Sequence, residues 1–297
     1  MTEHNKSLIF VHAAILLFGF SALFARLVDQ NAVVITFGRV FFSSTFLVIL
    51  TRFLKLKMKL NVKLDSRNDY SLIFVAGLIL AAHWFCFIQS IQLSTVAIGT
   101  ITFSTFPVFT SFLEPLFFKG KIRVRTVICA FIMLIGVFIV APVYEGSESP
   151  QRLMGIMTGL TSSLTFAVLS LLNRRFSAKY RPEVIVLYEQ GTAAIVLLPL
   201  MFILKPVVTV NDVILLALLG IVFTAIAHGL FVKGLRYVEV SKAGIISALE
   251  AVYAIMLAFV LLREPPAMNE IICGLIVITM AGYITFYKES VKEAKQP

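Results

Sequence analysis

Long apolar runs alternate with short polar connections along the whole chain. The runs cover 8–28, 31–50, 69–93, 95–118, 122–141, 152–174, 181–204, 211–236, 240–262 and 267–287. A hydrocarbon core is ~30 Å thick and a helix rises ~1.5 Å per residue, so each run is long enough to cross it. Strands of a membrane barrel would be ~10 residues long and would alternate apolar with polar positions; these runs do neither. The pattern predicts an all-α integral membrane protein with ten transmembrane helices. Nine is the alternative count, if the 31–50 run re-enters rather than crosses. The first run has a weak positive start at Lys6 and no persuasive cleavage site, so it reads as a retained helix.

The basic residues set the orientation. One side receives Lys6, the 52–67 stretch, the 119–125 stretch, the 174–181 stretch, Arg236, Lys242 and the tail lysines. The other side receives only Arg26, Arg152, Lys205 and Arg263. This asymmetry places both termini in the cytoplasm of a cell whose inner (plasma) membrane holds the chain, and it requires an even number of spans. Composition agrees. Of 297 residues, 59% are hydrophobic and only 14% charged, with a mean hydropathy of +0.94. A soluble domain is nearer a quarter charged. The net charge of +10 sits in the connections, which argues for cytoplasmic loops and against nucleic acid. Three scattered cysteines inside apolar runs give neither a disulfide framework nor metal spacing. No phosphate-binding, dinucleotide-binding, zinc-protease or serine-hydrolase motif occurs, so no cofactor, no metal and no enzyme activity are expected.

The chain also resembles itself. A shift of 145 residues lays Ala82 on Ala227, His83 on His228, Gly99 on Gly244 and Ile101 on Ile246. The sequence of a long run, a very short connection and another long run repeats as well. This predicts two halves, 1–145 and 146–297. Five helices per half is an odd number, so the halves would lie inverted in the bilayer, the arrangement of transporters with a midplane site.

The stretch GLRYVEVSKAGIISALEAVYAIMLAFVLLREPP at 234–266 and its first-half counterpart STVAIGTITFSTFPVFTSFLEPLFFKGKI at 94–122 resemble the drug/metabolite transporter superfamily, EamA type. Phe18–Gly19 in the first helix and Arg39 in the second also fit. The chain departs from the pattern at Phe18, where tryptophan is frequent, at Ala251, where proline is usual, and at Gly120, where an acidic residue is common. The resemblance implies two inverted five-helix repeats around a cavity lined by helices one, three, four, six, eight and nine. It implies secondary transport of a small organic metabolite, an amino acid or related compound, in the export direction. Uptake of a nucleotide-like or cofactor-like solute is the alternative within transport, and a non-transporting receptor or membrane subunit is the alternative outside it. Protons are the candidate coupling partner. The chain would act as a monomer or a homodimer.

Polar groups inside a membrane helix are costly and mark cavities or partners. Glu250, near the centre of the ninth run, is suited to proton coupling or to a substrate amine, or else to a packing hydrogen bond. Ser247 and Tyr253 accompany it. His83 and His228 occupy matching repeat positions and are either site ligands or interhelical hydrogen-bonders. Trp84, Phe87, Phe166 and Phe18 are candidates for stacking on a planar solute, or for packing. Ser104 in the fourth run and Thr165 in the sixth could line a wet cavity, or let helices approach. Arg39 and Glu189 lie deep in helices expected at the periphery; Arg39 either binds an anionic group or helps to gate, or forms a buried structural pair with Glu189 or binds helix carbonyls, and the peripheral position favours the structural role. Glu114 and Lys233, near helix ends, read as snorkelling or paired residues. Lys59→Cys is expected to label only from the cytoplasm and Gly146→Cys only from outside with an impermeant thiol reagent. Labelling of both from one side would contradict ten crossings.

Overall fold

The computed structural model describes residues 2–140, 150–263, 265 and 268–286. The expected boundary between halves at 145/146 lies outside them. The described residues form ten helical runs and no strand. They are α1 Glu3–Leu27, α2 Ala32–Met58, α3 Arg67–Leu93, α4 Val96–Phe118 and α5 Val124–Val140. The second set is α6 Pro150–Ser177, α7 Pro182–Leu204, α8 Val210–Leu235, α9 Val240–Leu262 and α10 Met268–Phe286. Eight are long and apolar enough to cross a membrane; α5 and α10 carry shorter apolar stretches, Val124–Gly136 and Ile271–Met280.

Local chemistry sets the helix ends. Thr2, Asn31, Ser66, Thr95 and Thr209 cap α1, α2, α3, α4 and α8, each accepting a backbone N–H from three residues on. Helix α2 is one continuous element of 27 residues, so the 31–50 run does not re-enter. It also runs past the apolar stretch to Met58 through Arg52, Lys55 and Lys57. These long basic side chains form helix readily, and their charge favours its carboxyl end. Helices α2, α4, α7 and α9 stop on a left-handed basic residue: Lys59, Lys119, Lys205 and Arg263, with φ of 51°, 50°, 44° and 58°. The four helices are equivalent pairs in the two expected halves.

Three helices are interrupted. In α4 the break falls at Ser104–Thr105, because Pro107 has no N–H for the carbonyl of Phe103. Hydroxyls fold back on the chain at the break: Ser104 Oγ donates to the Thr100 carbonyl at 2.9 Å and Thr105 Oγ1 to the Thr102 carbonyl at 2.9 Å. Helix α9 breaks at Ala248, between Val240–Ser247 and Leu249–Leu257, although Ala251 stands where a proline was expected. In α8 the turn Ile221–Ile226 widens to a π-helix.

Helix α3 packs on α6 and α7, while α1 packs on α8 and α9. Two glycines set the spacing at the centre. A Cβ on Gly220 of α8 would lie 2.7 Å from Phe42 Cβ and 2.8 Å from the Arg39 carbonyl of α2. A Cβ on Gly19 of α1 would lie 2.6 Å from Tyr253 Cβ of α9. At one end of the bundle the Glu114 carboxylate accepts the N–H groups of Val240 and Ser241, at 2.9 and 2.8 Å, and is paired with Arg174. At the other end Arg26 donates to the Ser94 carbonyl, and Gln92 Nε2 to that of Gln30 at 2.8 Å. Lys233 lies over the Phe10 ring at 4.1 Å. Overpacking costs ~1–3 kcal/mol, so Gly220→Ala is expected to lower the unfolding midpoint in detergent by several degrees. Full wild-type stability would show that α2 and α8 have room to part.

Candidate functional site

Six helices converge on one small cavity. Its lining is Phe18 and Ser21 of α1, Arg39 of α2, His83, Trp84 and Phe87 of α3, Phe103 of α4, Phe166 of α6 and Glu250 of α9. The cavity measures about 10 Å³, room for about one water.

Arg39 is the correction to the sequence reading. Its helix was expected at the periphery, which favoured a structural role such as a pair with Glu189, and it instead reaches the centre of the bundle with 2% of its surface exposed. Gly220 lets α2 close on α8, and the guanidinium carbon lies over the Trp84 ring, 3.9 Å from its centroid. Arg39 Nε donates to Thr224 Oγ1 at 3.2 Å. Thr224 belongs to the π turn of α8. Glu250 faces the same cavity and interacts electrostatically with Arg39. It stands in the first turn of the second segment of α9, where the helix dipole favours a carboxylate. One guanidinium and one carboxyl group therefore share a cavity otherwise walled mostly by aromatic rings.

His83 Nδ1 donates to the Ser162 carbonyl at 3.0 Å, and its ring stacks on Phe166 with centroids 4.7 Å apart. Phe103 and Phe106 stack beside them. His228 does not repeat this role. It lies behind Trp84, edge-on at 5.9 Å, outside the cavity lining, with Nε2 3.0 Å from Glu189 Oε2. Both side chains are fully buried. The equivalence suggested by the 145-residue shift is broken locally. His228 stands 19 residues past its N-cap Thr209 and His83 stands 17 past Ser66, and the π turn lies in the longer interval.

Of the residues singled out in the sequence, Phe18, Arg39, His83, Trp84, Phe87, Phe166 and Glu250 line this cavity. Ser104 and Ser247 spend their hydroxyls on the carbonyls of Thr100 and Ala243. Thr165 turns back to Thr161 and Ser162. Tyr253 packs against Gly19 and lies outside the lining. Ser21 and Phe103 line the cavity without having been singled out. Ser21 follows Phe18 by one turn on the same face, a signal available in the sequence. Among the described residues no group of three or more His, Cys, Asp or Glu could hold a metal ion.

The sequence profile of the EamA-like transporter family matches the chain twice, at residues 5–141 and 153–287. A protein of Archaeoglobus fulgidus described as an uncharacterized transporter is 26% identical over 273 residues, covering 92% of this chain and 93% of that one. The uncharacterized transporter YxxF of Bacillus subtilis is 24% identical over 230 residues, 76% of this chain and 73% of its own length. A solved structure described only as the crystal structure of a protein superposes with a TM-score of 0.76 over 95% of this chain and 96% of that one, at 17% identity. That likeness shows a shared fold. Together with the apolar helices, these matches establish a multi-pass membrane protein.

A desolvated cation–π contact contributes ~2 kcal/mol. Trp84→Leu is therefore expected to lower the thermal unfolding midpoint of the purified chain, with Trp84→Phe intermediate. Equal midpoints for all three proteins would show that Arg39 does not depend on the indole.

Proposed function

Because the chain belongs to the EamA-like transporter family, we propose that it is a secondary transporter of a small zwitterionic metabolite, an amino acid or close relative. One observation carries the reading: Arg39 and Glu250 face a single aromatic-walled cavity between two interrupted helices. A substrate carboxylate would meet the Arg39 guanidinium, and a substrate ammonium would meet Glu250. An apolar or aromatic side chain would rest against Phe18, Phe87, Phe103 and Phe166.

The mechanism is alternating access. A cavity of about 10 Å³ is far below the ~300 Å³ of the smaller ligand sites, so the bundle must part to admit a solute. The contacts that would open are at its ends: Glu114 with Arg174 and the start of α9 on one side, Arg26 with Ser94 on the other. In this reading all ten helices cross, and the halves 1–145 and 146–297 are inverted repeats. Both termini are cytoplasmic in the plasma membrane, and transport runs outward, the direction resting on family analogy alone. The aromatic walls favour a second reading, uptake of a planar nucleotide-like or cofactor-like solute.

Counterflow in proteoliposomes, run with a panel of amino acids and a panel of nucleosides and nucleotides, separates the two. Amino-acid flux is expected. Nucleotide flux would favour the second reading, and saturable binding without flux would make the chain a receptor. Glu250→Gln keeps shape and hydrogen bonding but cannot ionise. Hydrogen bonds to charged groups contribute ~1.5–3 kcal/mol, so flux is expected to fall about tenfold or more, with the pH profile of the residual flux retained. Wild-type flux in well-folded Glu250→Gln protein would remove Glu250 from the substrate site.

A further inference from the structure

Behind the Trp84 wall lies a second polar centre that the substrate reading does not use. His228 Nε2 has a carboxylate oxygen of Glu189 at 3.0 Å on one side and the amide nitrogen of Asn173 at 3.4 Å on the other. With Nε2 protonated, the Glu189 carboxylate accepts its N–H; with the proton on Glu189, Nε2 presents its lone pair to the carboxyl O–H and to the Asn173 amide. The surrounding atoms are left equally undecided. Glu189 Oε1, His228 Nδ1 and Asn173 Oδ1 are buried without a hydrogen-bond partner among the described residues, as are both polar atoms of neighbouring Gln190. Leaving a buried polar group unpaired costs ~1–3 kcal/mol. A buried polar cluster of this size calls for an occupant or a function, an exchanging proton or a water among them. The groups include donors and acceptors, which does not suit a bare cation. An acid and an imidazole in direct contact suit a proton.

The geometry points to Glu189 and His228 as a proton-binding pair, separate from the substrate cavity and coupled to it through Trp84. The indole is the shared wall. Its face carries the Arg39 guanidinium and its ring meets the His228 imidazole edge-on. A proton gained or lost by the pair changes the field on Arg39, whose other neighbour is Glu250. The π turn Ile221–Ile226 supplies a mechanical link, since Thr224 holds Arg39 and His228 follows two residues after that turn. Such turns recur at functional sites because they are one residue wide of a regular helix.

Other charged groups around the pair are few. Helix α2 presents Arg39 across the indole, α3 presents His83, and α9 presents Glu250 on the far side of the cavity. Helix α7 contributes Glu189 itself, and α6 contributes the uncharged Asn173. On the seam of α1 and α8, His12 and Lys233 lie nearer the end that holds the N-terminus, where Gly234 meets Ser7 and Val11.

The inference draws its purpose from the transport reading, but its test needs neither substrate nor flux. Trp84 is the only tryptophan in the chain, so its emission reports on the pair directly. The full-length protein in detergent is titrated between acid and alkaline pH, in sodium and in choline salts. A single reversible step in Trp84 emission is expected, the same in both salts. It should lose most of its amplitude in Glu189→Gln and in His228→Gln, and keep it in His83→Gln and Glu250→Gln. A flat wild-type titration, a step that survives in Glu189→Gln and His228→Gln, or emission that follows sodium at fixed pH would overturn the proposal. Should either pair variant elute as aggregate, infrared difference spectra in a Glu250→Gln background replace it. There an acid-induced carboxyl C=O band that moves in Glu189→Asp supports the pair, and an unmoved or missing band overturns it. An intact titration without any flux would defeat the transport reading alone.

Discussion

The stacking of Arg39 on Trp84 is the contact around which the centre of the bundle is arranged. A guanidinium withdrawn from water near the middle of an apolar helix is stable only where several weak interactions replace its hydration. The indole face, the hydroxyl of Thr224 and the field of Glu250 are those replacements. Each comes from a different helix. The close approach of α2 to α8 at Gly220, the widened turn that presents Thr224, and the break in α9 that sets Glu250 at a helix start all serve the placement of one charge.

Much of this was legible in the sequence, and what was not has a common cause. Apolar run length located the helical runs of the described residues, because in a bilayer each backbone group must be satisfied within its own segment. The same criterion cut α2 short at 50, since hydropathy ends where charge begins whereas helix geometry does not. Glu250, His83 and the aromatic residues around them announced themselves as costly or bulky groups at mid-depth. Arg39 was noticed for the same reason, but its partner was misjudged: which residue meets a long side chain depends on interhelical distances that spacing along one helix does not encode. The π turn left no readable trace, and without it His83 and His228 look equivalent. Ser104, Thr165 and Ser247 show the opposite error. A hydroxyl on a helix is drawn first to the carbonyl one turn back, and that local demand outweighs a role in the cavity.

Helices α4 and α9 break for different reasons. Pro107 forces the break in α4, whereas α9 breaks at the corresponding place with alanine in that position. The break in α9 is therefore held by tertiary packing, including the contact of Gly19 with Tyr253 and Ala254. A break held by packing is reversible when the packing changes, and one enforced by a missing N–H is not. The two halves of the cavity thus differ in stiffness, with the anionic wall the more adaptable.

The left-handed basic caps bear on how such a chain enters a membrane. In the proposed inverted arrangement, the ends of equivalent helices would emerge on opposite sides. Lys59 and Lys119 would then add to the basic side, while Lys205 and Arg263, in the same backbone conformation, would count against it. Half of the positive charges on the sparse side would accordingly be tied to the way helices end. Orientation would then be set by the loop charges at 52–67, 119–125 and 174–181 rather than by the caps.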